Sequence, residues 1–215
     1  MSMLRLDHLV VLAPTLEEGV AHVHHQLGIE MSSGGEHPLM GTHNRLLRLG
    51  DDAFLEVLAI NPTAKRPDRA RWFGLEDAEA VAKAWNEGRR LRAWVARATH
   101  DLDDILVRHG AVLGEKVRVS RGDRSWDLAV RRDGALPMDG AVPPIINWGE
   151  RGNPAPDMPE QGVRLQILEV EHPNPDEILA FYNDLNIENA PRVRLGERVR
   201  FRAIFNTPAG SRELF

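Results

Sequence analysis

Residues 34–60 have the sequence GGEHPLMGTHNRLLRLGDDAFLEVLAI, and this stretch decides both the fold class and the candidate site. A loop that carries His37 leads into a predicted strand at residues 44–49, and a polar turn separates it from a second strand at residues 53–60. Glu56 lies inside the apolar run of that second strand, where an unpaired carboxylate is costly to bury. With His8 on the first strand of the chain, these side chains predict a metal site.

Composition narrows the classes of function that the chain can have. The 215 residues are 42% hydrophobic and 27% charged, which is typical of a soluble globular protein, and the net charge of -5 argues against nucleic acid as a partner. Because cysteine is absent, disulfides, thiolate catalysis and Cys-ligated zinc are excluded. The apolar run at residues 9–13 is too short for a signal peptide or a membrane span, so we expect a cytoplasmic protein without membrane contacts.

The first 60 residues form a predicted unit of strand, helix and further strands. Alternation over residues 4–12 places His8 on one face with Leu4, Leu6, Val10 and Leu12, and Asp7 on the other. Thr15 and Glu18 form a capping-box pattern, and the helix that they open is expected to end at Gly28. The predicted fold class is therefore α+β.

The same layout is predicted to recur after a connector. Residues 61–90 form this connector and include a helix at residues 75–85, and residues 91–148 form a second unit whose helix, capped at Thr99, is expected to stop at Gly110. Residues 149–162 are rich in Gly and Pro and form a linker, and residues 163–215 resemble a third unit whose helix opens at Asn174. We expect the three units to form one compact structure.

Arginines are concentrated near the end of the third unit. Val193 and Leu195 are predicted to pair with residues 199–205 in a hairpin closed by residues 196–198. Four of its arginines would then lie side by side on one face and repel each other, unless acids or an anion cover them. We interpret the set as a solvated face and keep anion binding as a minor alternative; Arg121-Gly122-Asp123 predicts a turn.

The order of several short motifs resembles the glyoxalase-like group of the vicinal oxygen chelate superfamily, which includes glyoxalase I, extradiol dioxygenases and bleomycin-resistance proteins. The resemblance implies repeated βαβββ modules whose curved, mixed sheet forms a cup with helices on its outer face. The motifs are Asp7-His8-Leu9-Val10-Val11, Gly35-Glu36-His37 followed by Gly41-Thr42-His43-Asn44, Phe54-Leu55-Glu56, Pro144-Ile145-Ile146-Asn147-Trp148 and Thr207-Pro208-Ala209-Gly210.

The resemblance also implies a divalent metal that chelates two neighbouring substrate oxygens. His8 and Glu56 match the two ligand positions of the first unit, with Zn, Fe(II), Mn or Ni as candidate metals. The second unit departs from this pattern, because its first strand offers Arg92 and Trp94 and its last strand ends in Asn147 and Trp148. In the third unit Glu213 comes one residue early, which would turn its side chain to the other face.

Each candidate also has a structural interpretation. His8 could be a core histidine bonded to a backbone carbonyl, and Glu56 could pair with Arg45 or Arg48. His37 or His43 could supply a third ligand, and we favour His37, which could equally act as a general base. Asn44 and Trp126 are expected to contact substrate together with His43, whereas the histidines at positions 22, 24 and 25 are expected to face solvent.

We therefore expect a metal-dependent enzyme that acts on a small oxygenated molecule by bidentate oxygen chelation, with lyase, isomerase and dioxygenase chemistry all open. The alternative is a metal-free small-molecule or drug-binding protein of the same fold, and a third option is a structural protein whose side chains fill the cup. The expected partner is a small molecule, and a homodimer is compatible with the sequence.

Overall fold

Thirteen strands form two sheets within residues 3–32 and 34–215, which the computed structural model describes. The first unit contains β1 (Leu4–Leu12), α1 (Leu16–Leu27), β2 (Glu36–His37), β3 (Thr42–Arg48) and β4 (Phe54–Ile60). After α2 (Ala78–Asn86), the second contains β5 (Leu91–Arg97), α3 (Asp103–Leu113), β6 (Glu115–Arg121), β7 (Arg124–Val130) and β8 (Ile145–Asn147). The remainder contains β9 (Arg164–His172), α4 (Pro175–Asp184), β10 (Ile187–Glu188), β11 (Arg192–Leu195), β12 (Arg200–Thr207) and β13 (Gly210–Leu214).

The large sheet consists of two halves with matching strand order, β2-β3-β4-β1 and β5-β8-β7-β6, and the short β10 pairs with β1. In each half the first strand runs parallel to the last, and β1 joins β5 in antiparallel pairing between the halves. The ends of the sheet approach each other closely, since a Cβ added at Gly35 would lie 2.7 Å from Cδ of Arg121. The sheet is thus a nearly closed cup, and the predicted vicinal oxygen chelate-like fold class is confirmed.

Two apolar cores lie on the two faces of this sheet. The outer core packs the sheet against α1, α3, α4 and the small sheet, and it includes Leu9, Val57 and Phe201. The inner core fills the cup and includes Val10, Trp126 and Ile146. Because side chains alternate along a strand, neighbouring residues of β1 such as Leu9 and Val10 belong to different cores.

A bulge in β1 changes the predicted alternation. Leu6 pairs with Ala96 of β5, and His8 pairs with Val95, which comes directly before Ala96 in the chain. Asp7 therefore has no partner on β5. An extra residue of this kind lets two consecutive side chains point to one side. The prediction that Leu4 and Leu6 share a face with His8 was wrong: Leu4 belongs to the outer core and Leu6 packs against it, whereas His8 and Asp7 share one hydrogen-bonded cluster.

The small sheet has the strand order β11-β9-β12-β13 and packs on the outer face of the large one. The predicted hairpin between Val193 and Leu195 and residues 199–205 was wrong, because β9 lies between β11 and β12. Strand β9 supplies an acid to the arginines of β11 and β12, since Glu169 accepts hydrogen bonds from Arg194 at 2.7 Å and from Arg202 at 3.4 Å. Apart from the extra strand β10, which pairs with β1 in the large sheet, this segment has the element order of the other two units but a different strand order.

The helix ends follow their capping chemistry. In α1 the Thr15 hydroxyl accepts from the backbone N–H of Glu18, and Gly28 ends the helix in the left-handed conformation, as predicted. Helix α3 begins at Asp103 rather than near Thr99, and it runs through Gly110 to end at Gly114, since a mid-helix glycine weakens a helix without stopping it. No helix among the described residues is long and apolar enough to cross a membrane.

We predict opposite effects for two helix glycines. A Cβ at Gly19 would lie 2.3 Å from Cγ1 of Val57 on β4, so Gly19→Ala should lower the free energy of unfolding by about 1 to 3 kcal/mol through overpacking. Apart from atoms of the surrounding helix, no atom of the described residues lies within 4 Å of a Cβ at Gly110. Gly110→Ala should therefore raise the free energy of unfolding by about 0.5 to 1 kcal/mol. Urea unfolding of both variants would measure this, and equal effects would contradict the packing of α1 on β4.

Candidate active site

A narrow pocket inside the cup contains the polar residues of the first unit. Its cavity of about 30 Å³ has room for about two water molecules, so an organic ligand requires lining side chains to move. The first half of the sheet contributes His8, Asn44 and Glu56 from three adjacent strands, β1, β3 and β4. Aromatic and aliphatic side chains form the remainder of the wall.

Asp7 is fully buried and fixes the orientation of His8. Its Oδ1 lies 2.6 Å from Nδ1 of His8, while its Oδ2 accepts hydrogen bonds from Trp148 at 3.0 Å and Asn153 at 2.7 Å. The guanidinium of Arg97 lies 3.7 Å from the same oxygen. A buried carboxylate needs this many partners to offset its lost hydration. His8 also stacks on Phe54, with ring centroids 4.4 Å apart, so its ring plane is fixed as well.

Both ring nitrogens of His8 face carboxylates, because Nε2 lies 3.5 Å from Oε2 of Glu56. Burial lowers the pKa of His8, but the hydrogen bonds to Asp7 and Glu56 outweigh it and raise the pKa to about 9. A neutral imidazole would instead turn a nitrogen lone pair toward the Glu56 carboxylate. The structure therefore indicates an imidazolium at position 8 at neutral pH.

Asn44 connects Glu56 to the second histidine of the pocket. Its Oδ1 accepts from the backbone N–H of Gly35 at 2.8 Å and from Arg121 at 3.3 Å, which leaves Nδ2 to donate to Oε1 of Glu56 at 2.6 Å. Burial raises the pKa of Glu56, yet its hydrogen bond and charge interaction with His8 lower it below the ordinary value. Glu56 is therefore a carboxylate at neutral pH, and the alternative pairing with Arg45 or Arg48 is not formed.

His37 faces hydroxyl and amide groups, and no carboxylate of the described residues lies within hydrogen-bond distance of it. Its Nδ1 lies 3.1 Å from Oγ1 of Thr42, which also accepts from Nε1 of Trp72, and its Nε2 makes a long contact of 3.5 Å with Nδ2 of Asn44. Since Nδ2 is an N–H donor, Nε2 of His37 is the unprotonated nitrogen. Burial lowers the pKa of His37 to about 4. A neutral imidazole thus shares the pocket with the charged one.

The second unit contributes an apolar wall in place of ligands. Trp126, Leu128, Ile146 and Trp148 face the polar residues across the cup. On β5 the residues inside the cup are Ala93 and Val95, so the expectation that Arg92 and Trp94 occupy the ligand face of this strand was wrong. Val95 pairs directly with His8 in the ladder.

The structure brings five of the six predicted site residues to one place. His8, Glu56, His37, Asn44 and Trp126 all line the pocket. His43 does not, because alternation turns it to the other face of β3, toward Glu17 and Glu36. Sequence reasoning missed Asp7, although an acid between apolar residues is a signal of a buried role, and it missed Arg121, for which a turn motif gives no signal.

The pocket offers two strong protein ligands to a divalent metal. Among the residues that the structure describes, no three His, Asp or Glu side chains are grouped for one ion, so His8 and Glu56 would be the only strong ligands. Asn44 turns an N–H toward Glu56 and cannot ligate in that orientation. The two buried carboxylates are already balanced by His8 and Arg97. A metal bound at His8 would take the place of the proton on that imidazole.

We predict that Asp7→Asn is strongly destabilising. The substitution leaves His8 and Arg97 without their buried counter-charge, which should lower the free energy of unfolding by about 3 to 5 kcal/mol. Asp127→Asn is the matched control, because its partner Arg118 is exposed, and it should cost about 0 to 1 kcal/mol. Denaturant unfolding of both variants at pH 7 would measure the difference, and a similar small loss in both would count against the Asp7 cluster.

We also predict that the two pocket histidines titrate far apart, His8 near pH 9 and His37 near pH 4. Because the folded pKa of His8 lies above its ordinary value of 6.5, its contribution to stability is full below about pH 6.5 and is lost as the pH rises toward 9. NMR of the imidazole Cε1–H signals, assigned with His8→Gln and His37→Gln, would measure both values. Transitions of both residues near pH 6.5 would contradict the assignment.

Comparison with known proteins places this pocket in a family context. A family model described as a glyoxalase-like domain matches residues 6–185. A search of curated proteins found no match. The crystal structure of a hypothetical protein from Staphylococcus aureus is similar over 92% of this chain and 88% of that one, with 15% identity and a TM-score of 0.62.

Methylmalonyl-CoA epimerases match over a smaller part of the chain. The Mycobacterium tuberculosis enzyme has 15% identity and a TM-score of 0.43 and covers 68% of this chain and 89% of its own. A Streptomyces coelicolor enzyme in complex with 2-nitronate-propionyl-CoA has 16% identity and a TM-score of 0.42 over 69% and 99%. The family match spans most of the chain and agrees with the resemblance in the sequence. The chain therefore belongs to the glyoxalase-like domain family.

Proposed function

We propose that the chain is a glyoxalase-like enzyme that moves a proton on a carbon next to a carbonyl group of a small oxygenated molecule. The observation that carries this proposal is the pairing of a charged His8 with a neutral His37 in one pocket, on either side of the Asn44–Glu56 hydrogen bond. Titratable groups whose environments push their pKa values apart are suited to acid and base roles in one reaction.

His37 is the proposed base. Its Nε2 carries the lone pair, and its Nδ1–H is held by Thr42, so the ring keeps one tautomer. With a pKa of about 4 the imidazole is almost entirely unprotonated at neutral pH. The surrounding Trp72 and Trp126 rings fix its plane and keep bulk water away.

His8 is the proposed acid. Removing a proton next to a carbonyl places negative charge on the carbonyl oxygen, and an imidazolium can stabilise that charge or protonate the oxygen. Asp7 holds Nδ1 and so directs Nε2 into the pocket beside Glu56. Glu56 remains ionised and helps to keep His8 charged, while Asn44 keeps Glu56 in position. The chemistry is of the kind that isomerases and lyases share.

A second candidate retains the metal. His8 Nε2 and Glu56 Oε2 are 3.5 Å apart, within the span that one ion can bridge, and the Asp7 hydrogen bond to Nδ1 is the support that metal-bound histidines commonly have. In this case substrate oxygens or water would complete the ligand set, and the ion would act as a Lewis acid. A metal-free binding protein of the same fold is the third candidate, favoured by the apolar wall of the second unit.

The test is hydrogen–deuterium exchange at the carbon next to the carbonyl of 2-oxobutyrate, 2-butanone and hydroxyacetone, followed by NMR in D2O. We expect the untagged wild-type protein to accelerate exchange of at least one compound, and His37→Gln to slow it by about 100-fold or more. His43→Gln is the matched control, since His43 lies outside the pocket, and it should keep the rate within about twofold.

Three outcomes separate the candidates. Equal exchange by the wild type and His37→Gln would contradict the proton-transfer role. Stoichiometric metal in the untagged protein, lost in both His8→Gln and Glu56→Gln, would favour the metal-dependent version. Binding of the compounds without any acceleration of exchange would favour the binding protein.

A further inference from the structure

Arg121 stands apart from the other arginines of its hairpin. Arg118 on β6 pairs with Asp127, and Arg124 on β7 pairs with Asp157. No carboxylate among the described residues lies within ion-pair distance of Arg121, although Glu56 acts on its charge from further away. Arg121 is half-buried at the pocket, where its guanidinium makes a single weak hydrogen bond to another side chain among the described residues, 3.3 Å to Asn44 Oδ1. The side chain lines the pocket, and most of the donors of its guanidinium have no protein acceptor among the described residues.

The first unit makes room for this side chain. Gly35 lies on the loop that enters β2, at the opposite end of the curved sheet from β6. A Cβ at Gly35 would lie 2.7 Å from Cδ and 2.9 Å from Nη1 of Arg121, so any larger residue would push the guanidinium away. The backbone of Gly35 also donates to Asn44 Oδ1. The side chain of Arg121 therefore spans the gap between the two ends of the curved sheet, and Gly35 leaves the space that it needs.

We propose that Arg121 is the anion-binding residue of this pocket, and that its ligands are small carboxylic acids with an oxygen on the neighbouring carbon and an apolar remainder, such as 2-hydroxy and 2-oxo acids. A planar guanidinium can donate two hydrogen bonds to one carboxylate. The carboxylate of the acid would take the place of Asn44 as the hydrogen-bond acceptor for Arg121. Its negative charge would balance the positive charge of the guanidinium. This inference rests on the proposed function and names its substrate class.

The spacing of the groups sets the position of the second oxygen. Only the side-chain amide of Asn44 separates Arg121 from Glu56 and from His37. A molecule whose carboxylate lies at Arg121 would therefore extend toward the part of the pocket that carries His37 and Glu56. The opposite wall, formed by Trp126, Leu128, Ile146 and Trp148, is mainly apolar, and the indole N–H of Trp148 already donates to Asp7, so this wall suits a hydrocarbon remainder.

The proposal can be tested by binding, which does not depend on turnover. Quenching of tryptophan fluorescence would be titrated with 2-hydroxybutyrate and with 1,2-butanediol, which replaces the carboxylate by a neutral group on the same skeleton. At constant ionic strength we expect the wild type to bind the acid at least tenfold more tightly than the diol. In Arg121→Gln and in Gly35→Ala this ratio should fall to about one.

Arg118→Gln is the matched control, because it removes an exposed arginine from the same strand, and it should keep the wild-type ratio. An unchanged ratio in Arg121→Gln and Gly35→Ala, equal binding of acid and diol by the wild type, or no binding of either compound would each overturn the proposal. Selective acid binding without catalysed exchange would uphold the anion site and reject proton transfer, so the two failures are distinguishable.

Discussion

The buried carboxylate of Asp7 is the constraint on which the site depends. With its side chain fully enclosed, it must collect donors from several parts of the chain, and it does so from His8, Trp148, Asn153 and Arg97. These partners come from both halves of the cup and from the segment after β8. The same hydrogen-bonded cluster therefore connects the two halves of the sheet and orients the imidazole of His8. It can form only because the bulge in β1 leaves Asp7 outside the ladder.

The two halves of the sheet have the same strand order but carry different chemistry. The first half supplies both histidines, the amide and the carboxylate, while the second half supplies apolar surface and one arginine. A duplicated architecture does not require duplicated ligands, because each face position can be filled separately. Here Val95 lies opposite His8, and Ile146 occupies the last strand of the second half. The result is a pocket whose polar groups lie mainly on the first half of the sheet and face apolar side chains of the second half, which exclude water.

The small sheet has a supporting role. It covers the outer face of the large sheet with residues such as Phe201 and Phe205, which are fully buried. Its arginines are partly balanced within the sheet, since Glu169 on β9 lies within ion-pair distance of Arg192 and Arg194 on β11 and of Arg202 on β12. Positive charge on two strands that follow each other in the sequence can therefore be partly balanced by an acid on a third strand that lies between them in the sheet.

Much of this architecture was predictable from the sequence, and the reason is that the relevant signals are local. The positions of the strands β1 and β4, the cap at Thr15 and the stop at Gly28 each depend on residues a few positions apart. The candidate residues His8, His37, Asn44, Glu56 and Trp126 follow from polar or aromatic side chains on predicted strands and loops. Tertiary structure alone decided the partnership of Asp7 with His8, the position of β9 between β11 and β12, and the reach of Arg121 to Gly35. These depend on a bulge, on strand order and on the closure of a curved sheet, which join residues far apart in the chain and leave no periodic pattern in it.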